Sequence, residues 1–190
     1  MRTYFRSPYF RILIICVLVS AGIVAYLVIG AGRRQSPIII DPDQLYPLSY
    51  VVDGDTIRVL ISQRSVAVRL LGINTPETVD PRKSVECYGP EASKETKSLL
   101  AGRSVRLVQN PNREARDAYG RYLAYVYRDD SLFVNEYLIS NGYAREYTVG
   151  RPYSFQSEFR SLESEARRQG KGLWGACPPP AEKASPSGGF

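Results

Sequence analysis

The chain has 190 residues, 44% of them apolar and 23% charged, which is the composition of a folded protein rather than a disordered one. It contains no histidine, and this excludes Ser-His-Asp triads, histidine general bases and histidine-ligated metal sites. The net charge of +6 comes mainly from residues 1–34, which carry five arginines and no acid, whereas the rest of the chain sums to +1. Overall charge therefore identifies no partner, and any chemistry must use carboxylates, arginine, lysine, tyrosine, cysteine or a hard metal ion.

The amino-terminal segment is first basic and then strongly apolar. Residues 1–11 carry three arginines, and residues 12–31 carry no charged side chain. A helix of that length spans about 30 Å, the thickness of the hydrocarbon core of a membrane. We therefore expect residues 12–31 to form a single-pass transmembrane signal anchor in the cell membrane, with the body of the protein outside the cytoplasm. The alternative is a signal peptide that is cleaved to release a secreted body, because small residues end the segment.

Two segments of biased composition bound the part of the chain that must hold the core. Residues 32–47 contain three prolines, which is typical of a linker. Residues 178–190 are of low complexity and are predicted to be disordered. The intervening residues 48–177 have the usual size of a single domain.

Within this domain the sequence pattern predicts five strands and three helices. Runs rich in valine, isoleucine and leucine predict strands over residues 49–52, 56–61, 66–71, 104–108 and 121–127. Turn residues at 53–54 and 63–65 separate the first three strands. Helices are predicted over residues 90–102, 133–141 and 154–169, each ended by a glycine. This order predicts an α+β fold that is mainly β, a five-stranded OB-fold barrel with three α-helices, preceded by the transmembrane helix.

Two segments carry oxygen-bearing side chains that suit a hard cation. Residues 53–56, Asp-Gly-Asp-Thr, place two carboxylates two residues apart, although Asp-Gly is also the usual turn between strands. Asn74, Thr75 and Glu77 follow the third predicted strand in a loop that also contains a proline. Asn-Thr-Pro is common at the start of loops, so each segment taken alone has a purely structural interpretation.

Two further regions suit contacts with phosphates and bases. Tyr119 and Arg121 lie in the charged segment 113–121, which can present them to a phosphate or can simply be a solvated loop. The chain has fourteen tyrosines against six phenylalanines and one tryptophan, and Tyr147 lies between two nearby arginines. Tyrosine beside arginine favours base stacking, although core packing accounts for many tyrosines as well.

The cysteine count leaves two interpretations open. Cys16 lies within the apolar segment, so Cys87 and Cys177 are the only cysteines of the body. In an oxidising compartment they could form one disulfide, but counting alone supports two unrelated thiols equally well.

Seven motifs follow one another between Tyr50 and Trp174: Asp-Gly-Asp-Thr, Arg-Leu-Leu…Thr-Pro-Glu, Tyr-Gly-Pro-Glu-Ala-Ser, Asp-x-Tyr-Gly-Arg-x-Leu-Ala-Tyr-Val-Tyr, Val-Asn-Glu, Gly-Tyr-Ala and Gly-Leu-Trp. In this order and spacing they resemble the staphylococcal nuclease (thermonuclease) family. The resemblance implies an OB-fold barrel with three helices. It also implies a calcium-dependent endonuclease that cleaves DNA and RNA and leaves 3′-phosphate ends.

The resemblance further implies roles for single residues at the reacting phosphate. Arg69 and Arg121 match the two arginines that hold the scissile phosphate. Glu77 matches the general base or water-orienting group, and Tyr119 matches a tyrosine that contacts a substrate phosphate. Two guanidinium groups and one Ca²⁺ would neutralise a dianionic transition state without any histidine.

The calcium site implied by the resemblance comprises Asp55, Asn74 and Thr75, the last through its backbone carbonyl. Asn74 departs from the staphylococcal pattern, which has an aspartate there, so we expect weaker Ca²⁺ binding but not its loss. The resemblance also implies a disulfide between Cys87 and Cys177.

The main alternative is a tethered, non-catalytic nucleic-acid-binding module of the same fold. Such a module has no need for Arg69, Glu77 and Arg121 together, so their presence favours catalysis. The sequence implies nucleic acid and, through residues 12–31, a membrane as partners, and it implies no protein partner.

Overall fold

A computed structural model describes residues 8–31, 38–82 and 84–177, so the predicted tail and residues 32–37 of the predicted linker lie outside it. The chain divides into two units, Met1–Ile38 and Ile39–Phe190. The first unit contains helix α1 (Pro8–Ala31). Within the described residues no helix is identified as long and apolar enough to cross a membrane, and the predicted transmembrane anchor is therefore not confirmed.

The second unit is built on a closed five-stranded barrel. The strands, in chain order, are β1 (Leu45–Val51), β2 (Thr56–Ile61), β3 (Arg64–Leu70), β4 (Ile73–Asn74), β5 (Ser104–Val108), β6 (Tyr122–Arg128) and β7 (Arg145–Glu146). The barrel has the strand order β1-β2-β3-β6-β5, with β3 and β6 parallel and all other neighbours antiparallel. The short strands β4 and β7 form a separate antiparallel pair. This architecture confirms the predicted α+β fold of the OB type.

Four helices accompany the strands in the described part of this unit. They are α2 (Gly89–Leu100), α3 (Val134–Ser140), α4 (Gln156–Arg168) and α5 (Leu173–Ala176). The first three correspond to the predicted helices, whereas α5 is a single turn that the pattern did not predict. A proline in the first turn of α2 costs nothing there, since the first N–H groups of a helix have no partner within it.

The structure corrects two predicted boundaries. β1 begins at Leu45, although residues 45–47 were assigned to the linker because of Pro47. That proline sits opposite Ser104 of β5, and its neighbour Tyr46 is almost fully buried, so the segment belongs to the barrel. The turn between β2 and β3 is shorter than predicted: Ser62 and Gln63 have φ values of 48° and 60°, both left-handed, as a two-residue hairpin turn requires.

The core fills the barrel and continues beneath the helices. On β2, Ile57 and Val59 alternate with more exposed residues, as a strand with one buried face requires. Leu138 of α3 and Phe159 of α4 are also fully buried, and these two helices pack against each other.

A buried asparagine fastens α3 to the barrel. The Asn135 side chain is fully buried; its Oδ1 accepts the Val126 N–H at 2.9 Å and its Nδ2 donates to the Leu71 carbonyl at 2.9 Å. It thereby joins β6 to the segment that follows β3. Both backbone groups, the Val126 N–H and the Leu71 carbonyl, are shielded from water, so water cannot replace the hydrogen bond to Asn135.

Replacing Asn135 with alanine should lower the free energy of unfolding by about 2–4 kcal/mol, because a buried donor and a buried acceptor both lose their partner. Urea unfolding followed by circular dichroism measures this change. The matched control is Asn141→Ala, since within the described residues the Asn141 amide donates to Tyr137 and Ser140 of the preceding helix and to no other element. Equal losses in the two variants would show that Asn135 is not a special fastening point.

Candidate active site

A cleft of about 1240 Å³ lies on the second unit, beside the ends of β2 and β3. All residues that the sequence assigned to catalysis, metal binding or substrate contact line this one cleft: Asp55, Arg69, Asn74, Thr75, Glu77, Tyr119, Arg121 and Tyr147. They come from four separate segments of the chain, and the fold brings them together.

The acidic turn between β1 and β2 forms part of the cleft floor. Thr96 of α2 donates its hydroxyl to the Gly54 carbonyl at 2.7 Å, which holds the turn from behind. A Cβ atom built on Gly54 would lie 2.6 Å from the Thr75 hydroxyl oxygen. Only glycine therefore lets the turn approach the segment after β3 so closely.

The Asp55 carboxylate connects three segments of the cleft. It is 5% exposed, and its Oδ2 accepts the Thr75 N–H at 2.8 Å while lying 3.0 Å from Arg69 Nη2. Its Oδ1 accepts the Thr56 hydroxyl at 3.1 Å. Asp55 thus joins the start of β2 to the end of β3 and to the loop beyond it.

Asp53 adds a second carboxylate to this turn. Its burial, and then the nearby negative charge of Asp55, raise its pKa to about 6. Two carboxylates so close together in a partly buried place favour a bound cation, since it would offset their mutual repulsion.

The oxygen atoms around this turn fit a hard cation. The described residues contain no cluster of three or more acidic, cysteine or histidine side chains that could hold a metal. A cation here would therefore need Asp53 and Asp55 together with the Asn74 amide oxygen and the Thr75 carbonyl. Ca²⁺ accepts such a mixture of carboxylate, amide and carbonyl ligands.

Arg69 lies in the cleft floor with its guanidinium bound on several sides. Its Nη1 donates to the carbonyls of Ile73 at 2.8 Å and Leu70 at 3.1 Å, and its Nη2 donates to Asn74 Oδ1 at 3.0 Å. Together with the ion pair to Asp55, these contacts make Arg69 a rigid positive charge. They also bring Asn74 to the same point as the acidic turn.

Arg121 is the more accessible of the two arginines. Its Nε donates to Asp117 Oδ2 at 2.7 Å, its Nη1 lies 3.3 Å from the Thr56 hydroxyl, and its side chain is 30% exposed. Asp117 also accepts the backbone N–H groups of Tyr119 and Arg121 through Oδ1. Asp117 was not among the predicted site residues, although an aspartate at the start of a turn is a common acceptor for backbone N–H groups.

Two tyrosines present exposed rings at the cleft. Tyr119 is 84% exposed, and the Arg121 guanidinium lies 5.5 Å from its ring centre. Tyr147 follows β7, and its N–H donates to the Gly72 carbonyl at 3.0 Å. The pairing of β7 with β4 therefore fixes Tyr147 relative to Asn74.

Glu77 stands above this floor in the loop after β4. Its Oε1 accepts three backbone N–H groups, from Thr78 at 2.9 Å, Val79 at 2.8 Å and Asp80 at 3.0 Å. The N–H of Val79 contributes most to lowering the pKa of the Glu77 carboxyl, which is therefore ionised at neutral pH. Among the described residues, its Oε2 accepts no hydrogen bond.

Two groups outside the cleft floor hold its surrounding loops. Arg113 Nη1 donates to the carbonyls of Val149 and Arg151, which joins the loop before β6 to the loop after β7. Cys87 and Cys177 form a disulfide with a Cα–Cα distance of 5.9 Å, the pairing that the family resemblance implied.

The chain is similar in sequence to several known proteins. A family model described as staphylococcal nuclease homologue matches residues 67–176. The chain is 37% identical over 132 residues to the thermonuclease of Staphylococcus hyicus, covering 70% of this chain and 76% of that protein. It is 37% identical over 129 residues to the thermonuclease of Staphylococcus intermedius, covering 68% and 75%. It is 38% identical over 128 residues to endonuclease YncB of Bacillus subtilis strain 168, covering 67% of this chain but only 60% of that protein.

Proposed function

Because the chain belongs to the staphylococcal nuclease family, we propose that it is an endonuclease that hydrolyses phosphodiester bonds of DNA and RNA. One observation carries the proposal: two arginines, an ionised carboxylate and a set of hard-cation ligands line a single cleft. The names of the similar proteins, two thermonucleases and one endonuclease, support the same reaction class.

The arginines bind and stabilise the reacting phosphate. Asp117 accepts a hydrogen bond from Nε of Arg121. This contact fixes the side chain and with it the position of the two outer nitrogen atoms, Nη1 and Nη2. A guanidinium can donate two parallel hydrogen bonds to phosphate oxygens, and its charge opposes the negative charge that grows in the transition state. Arg69 adds a second positive charge from the cleft floor, and the exposed rings of Tyr119 and Tyr147 offer surfaces for the nucleotide.

Glu77 orients the attacking water and accepts its proton. Its Oε1 is fixed by three backbone N–H groups, so Oε2 is the oxygen available for the water. Attack at phosphorus forms the new P–O bond and breaks the bond to the 5′-oxygen, which takes up a proton from water and leaves as a 5′-hydroxyl, while the other product keeps a 3′-phosphate end. A carboxylate held in place but ionised is suited to this role.

Asp53, Asp55, Asn74 and the Thr75 carbonyl would hold the proposed Ca²⁺. When bound, the cation would supply positive charge next to the phosphate and acidity to nearby water. The chain's own contribution is to keep these oxygens together, which the Asp55–Thr75 and Arg69–Asn74 hydrogen bonds do.

The deciding experiment is cleavage of single-stranded DNA by the full chain, with Ca²⁺ and with a chelator, beside the Glu77→Gln variant. We expect Ca²⁺-dependent cleavage that falls about 10²–10⁴-fold in the variant. Glutamine keeps an oxygen that can accept the three loop N–H groups, so the variant should fold normally. Analysis of the product ends tests for the 3′-phosphate.

Two outcomes would contradict this proposal in different ways. Tight binding of DNA with no cleavage at any Ca²⁺ concentration would favour the tethered nucleic-acid-binding module. Cleavage at an unchanged rate in Glu77→Gln would keep the nuclease but remove Glu77 from its mechanism.

The amide at position 74 should limit the affinity for the metal. Asn74→Asp turns a neutral proposed ligand into a charged one and should lower the Ca²⁺ dissociation constant about tenfold, as measured by calorimetry. Asn112→Asp is the matched control, because Asn112 also lines the cleft but is not a proposed ligand. An equal change in both variants would indicate a general charge effect rather than ligation.

We also propose that the nuclease domain works outside the cytoplasm, held at the cell membrane by residues 12–31 or secreted after cleavage. The disulfide supports an oxidising compartment. Fractionation of cells that express the full chain, followed by protease treatment of intact cells, measures this directly. Complete protection of the domain inside intact cells would contradict the proposal.

A further inference from the structure

We propose that Glu86 and the Cys87–Cys177 disulfide together position Glu77, so that the activity depends on the redox state of the protein. This inference rests on the proposed role of Glu77. The segment between Glu77 and Cys87, here called the Glu77 loop, carries the candidate base at one end and the disulfide at the other. Glu86 and both cysteines are positioning residues, since none of them would touch the substrate.

Glu86 holds Glu77 through a reciprocal pair of hydrogen bonds. The Glu77 N–H donates to Glu86 Oε2 at 3.1 Å, and the Glu86 N–H donates to the Glu77 carbonyl at 2.9 Å. Gly89, the first residue of α2, donates its N–H to the Glu86 carbonyl at 3.0 Å. The two ends of the Glu77 loop are thus fastened to each other and to the start of α2.

The start of α2 packs closely against the residues next to Glu77. A Cβ atom built on Gly89 would lie 2.6 Å from Thr78 Cγ2 and 3.1 Å from the Glu77 carbonyl oxygen. The helix start therefore rests directly on the residues that surround Glu77. A small shift at this point moves the Glu77 carboxylate relative to the cleft floor.

The disulfide connects this point to the core through α5. The Cys177 N–H donates to the Leu173 carbonyl at 3.1 Å, and the Leu173 side chain is almost fully buried. Leu173 in turn donates its N–H to the Gly142 carbonyl at 2.9 Å. Cys87 is thereby tied to the packed carboxyl-terminal part of the domain, 90 residues away in sequence.

Within the Glu77 loop the contacts are local: the Thr78, Val79 and Asp80 N–H groups donate to Glu77 Oε1, and Arg82 donates to Asp80. The described side chains of the loop between Asp80 and Cys87 are all exposed: Pro81, Arg82, Ser84, Val85 and Glu86. Segments with few buried apolar contacts open at low free energy, so their geometry depends on the fastened ends. Cys87 itself is exposed, which gives a reductant access to the bond.

Reduction would release one of the two fastenings. A dithiol that reduces the bond supplies two electrons and two protons, giving thiols on Cys87 and Cys177, and is itself oxidised to a disulfide. Glu86 then holds the loop without its link to α5, and Glu77 loses its fixed position. The nuclease would thus be weak in a reducing compartment and reach full activity only after oxidation.

The test measures kcat, KM and the half-maximal Ca²⁺ concentration of the full chain on a short single-stranded DNA, before and after treatment with dithiothreitol. Reduction should lower kcat about ten- to a hundredfold and leave KM and the Ca²⁺ requirement unchanged, because only the candidate base is displaced. The Cys87→Ser, Cys177→Ser double variant should have the same low kcat and no response to dithiothreitol, which controls for the thiol of Cys16. Circular dichroism of the reduced protein reports whether it remains folded.

A second set of variants tests the positioning without touching the disulfide. Glu86→Ala removes the acceptor for the Glu77 N–H and should lower kcat, whereas Glu86→Gln keeps an acceptor oxygen and should restore most of it. Glu91→Ala, an exposed acid in the first turn of α2, is the matched control and should behave like the parent protein. If reduction unfolds the chain, the redox part of the inference is overturned, and this set decides the role of Glu86.

The outcomes separate this inference from the proposed function. If Glu77→Gln lowers kcat but neither reduction nor Glu86→Ala does, the positioning role is overturned while the nuclease mechanism stands. If Glu77→Gln is fully active, the proposed role of Glu77 is wrong and the inference is overturned with it. A loss in Glu86→Ala that Glu86→Gln does not recover would also overturn it, since the acceptor oxygen would not be the cause.

Discussion

The buried ion pair between Asp55 and Arg69 holds the cleft together. Their side chains are 7% and 11% exposed, and removing such charges from water costs on the order of several kcal/mol per ion. Further hydrogen bonds offset that cost: Asp55 also accepts the Thr75 N–H at Oδ2 and the Thr56 hydroxyl at Oδ1, and Arg69 donates to two backbone carbonyls. The pair therefore makes the start of β2, the end of β3 and the following loop one rigid unit, on which the other cleft residues depend.

The barrel could be predicted because its strands are short, apolar and separated by turn residues, and the central helices because each ends at a glycine. The first strand was harder to predict, because Pro47 is typical of a linker. In the folded chain this proline pairs with Ser104 at the end of β5, and the burial of the neighbouring Tyr46 decides its place. Burial of that kind depends on the assembled barrel and leaves no mark on the local pattern.

The cleft residues could be named from the order of the motifs, but their supporting partners could not. Asn135 reaches the Leu71 carbonyl 64 residues away, and Thr96 reaches the Gly54 carbonyl 42 residues away. Neither contact has a local sequence signature, because an asparagine or a threonine on a helix is equally compatible with exposure to solvent. Asp117 is closer to a local signal, because an aspartate whose side chain accepts backbone N–H groups two and four residues later is typical of a turn.

The register of the barrel also constrains how the chain folds. β1 closes on β5, with Leu45 opposite Arg106, and β3 closes on β6, with Val68 opposite Tyr122. Both closures join residues more than 50 positions apart, so much chain entropy is lost before either pairing stabilises the barrel. In a chain made from its amino terminus, β1 to β3 emerge before either closing partner, and β6 is the last barrel strand to arrive. The domain is thus a late-closing, cooperative unit, and its assembly during synthesis depends on the half of the chain that arrives last.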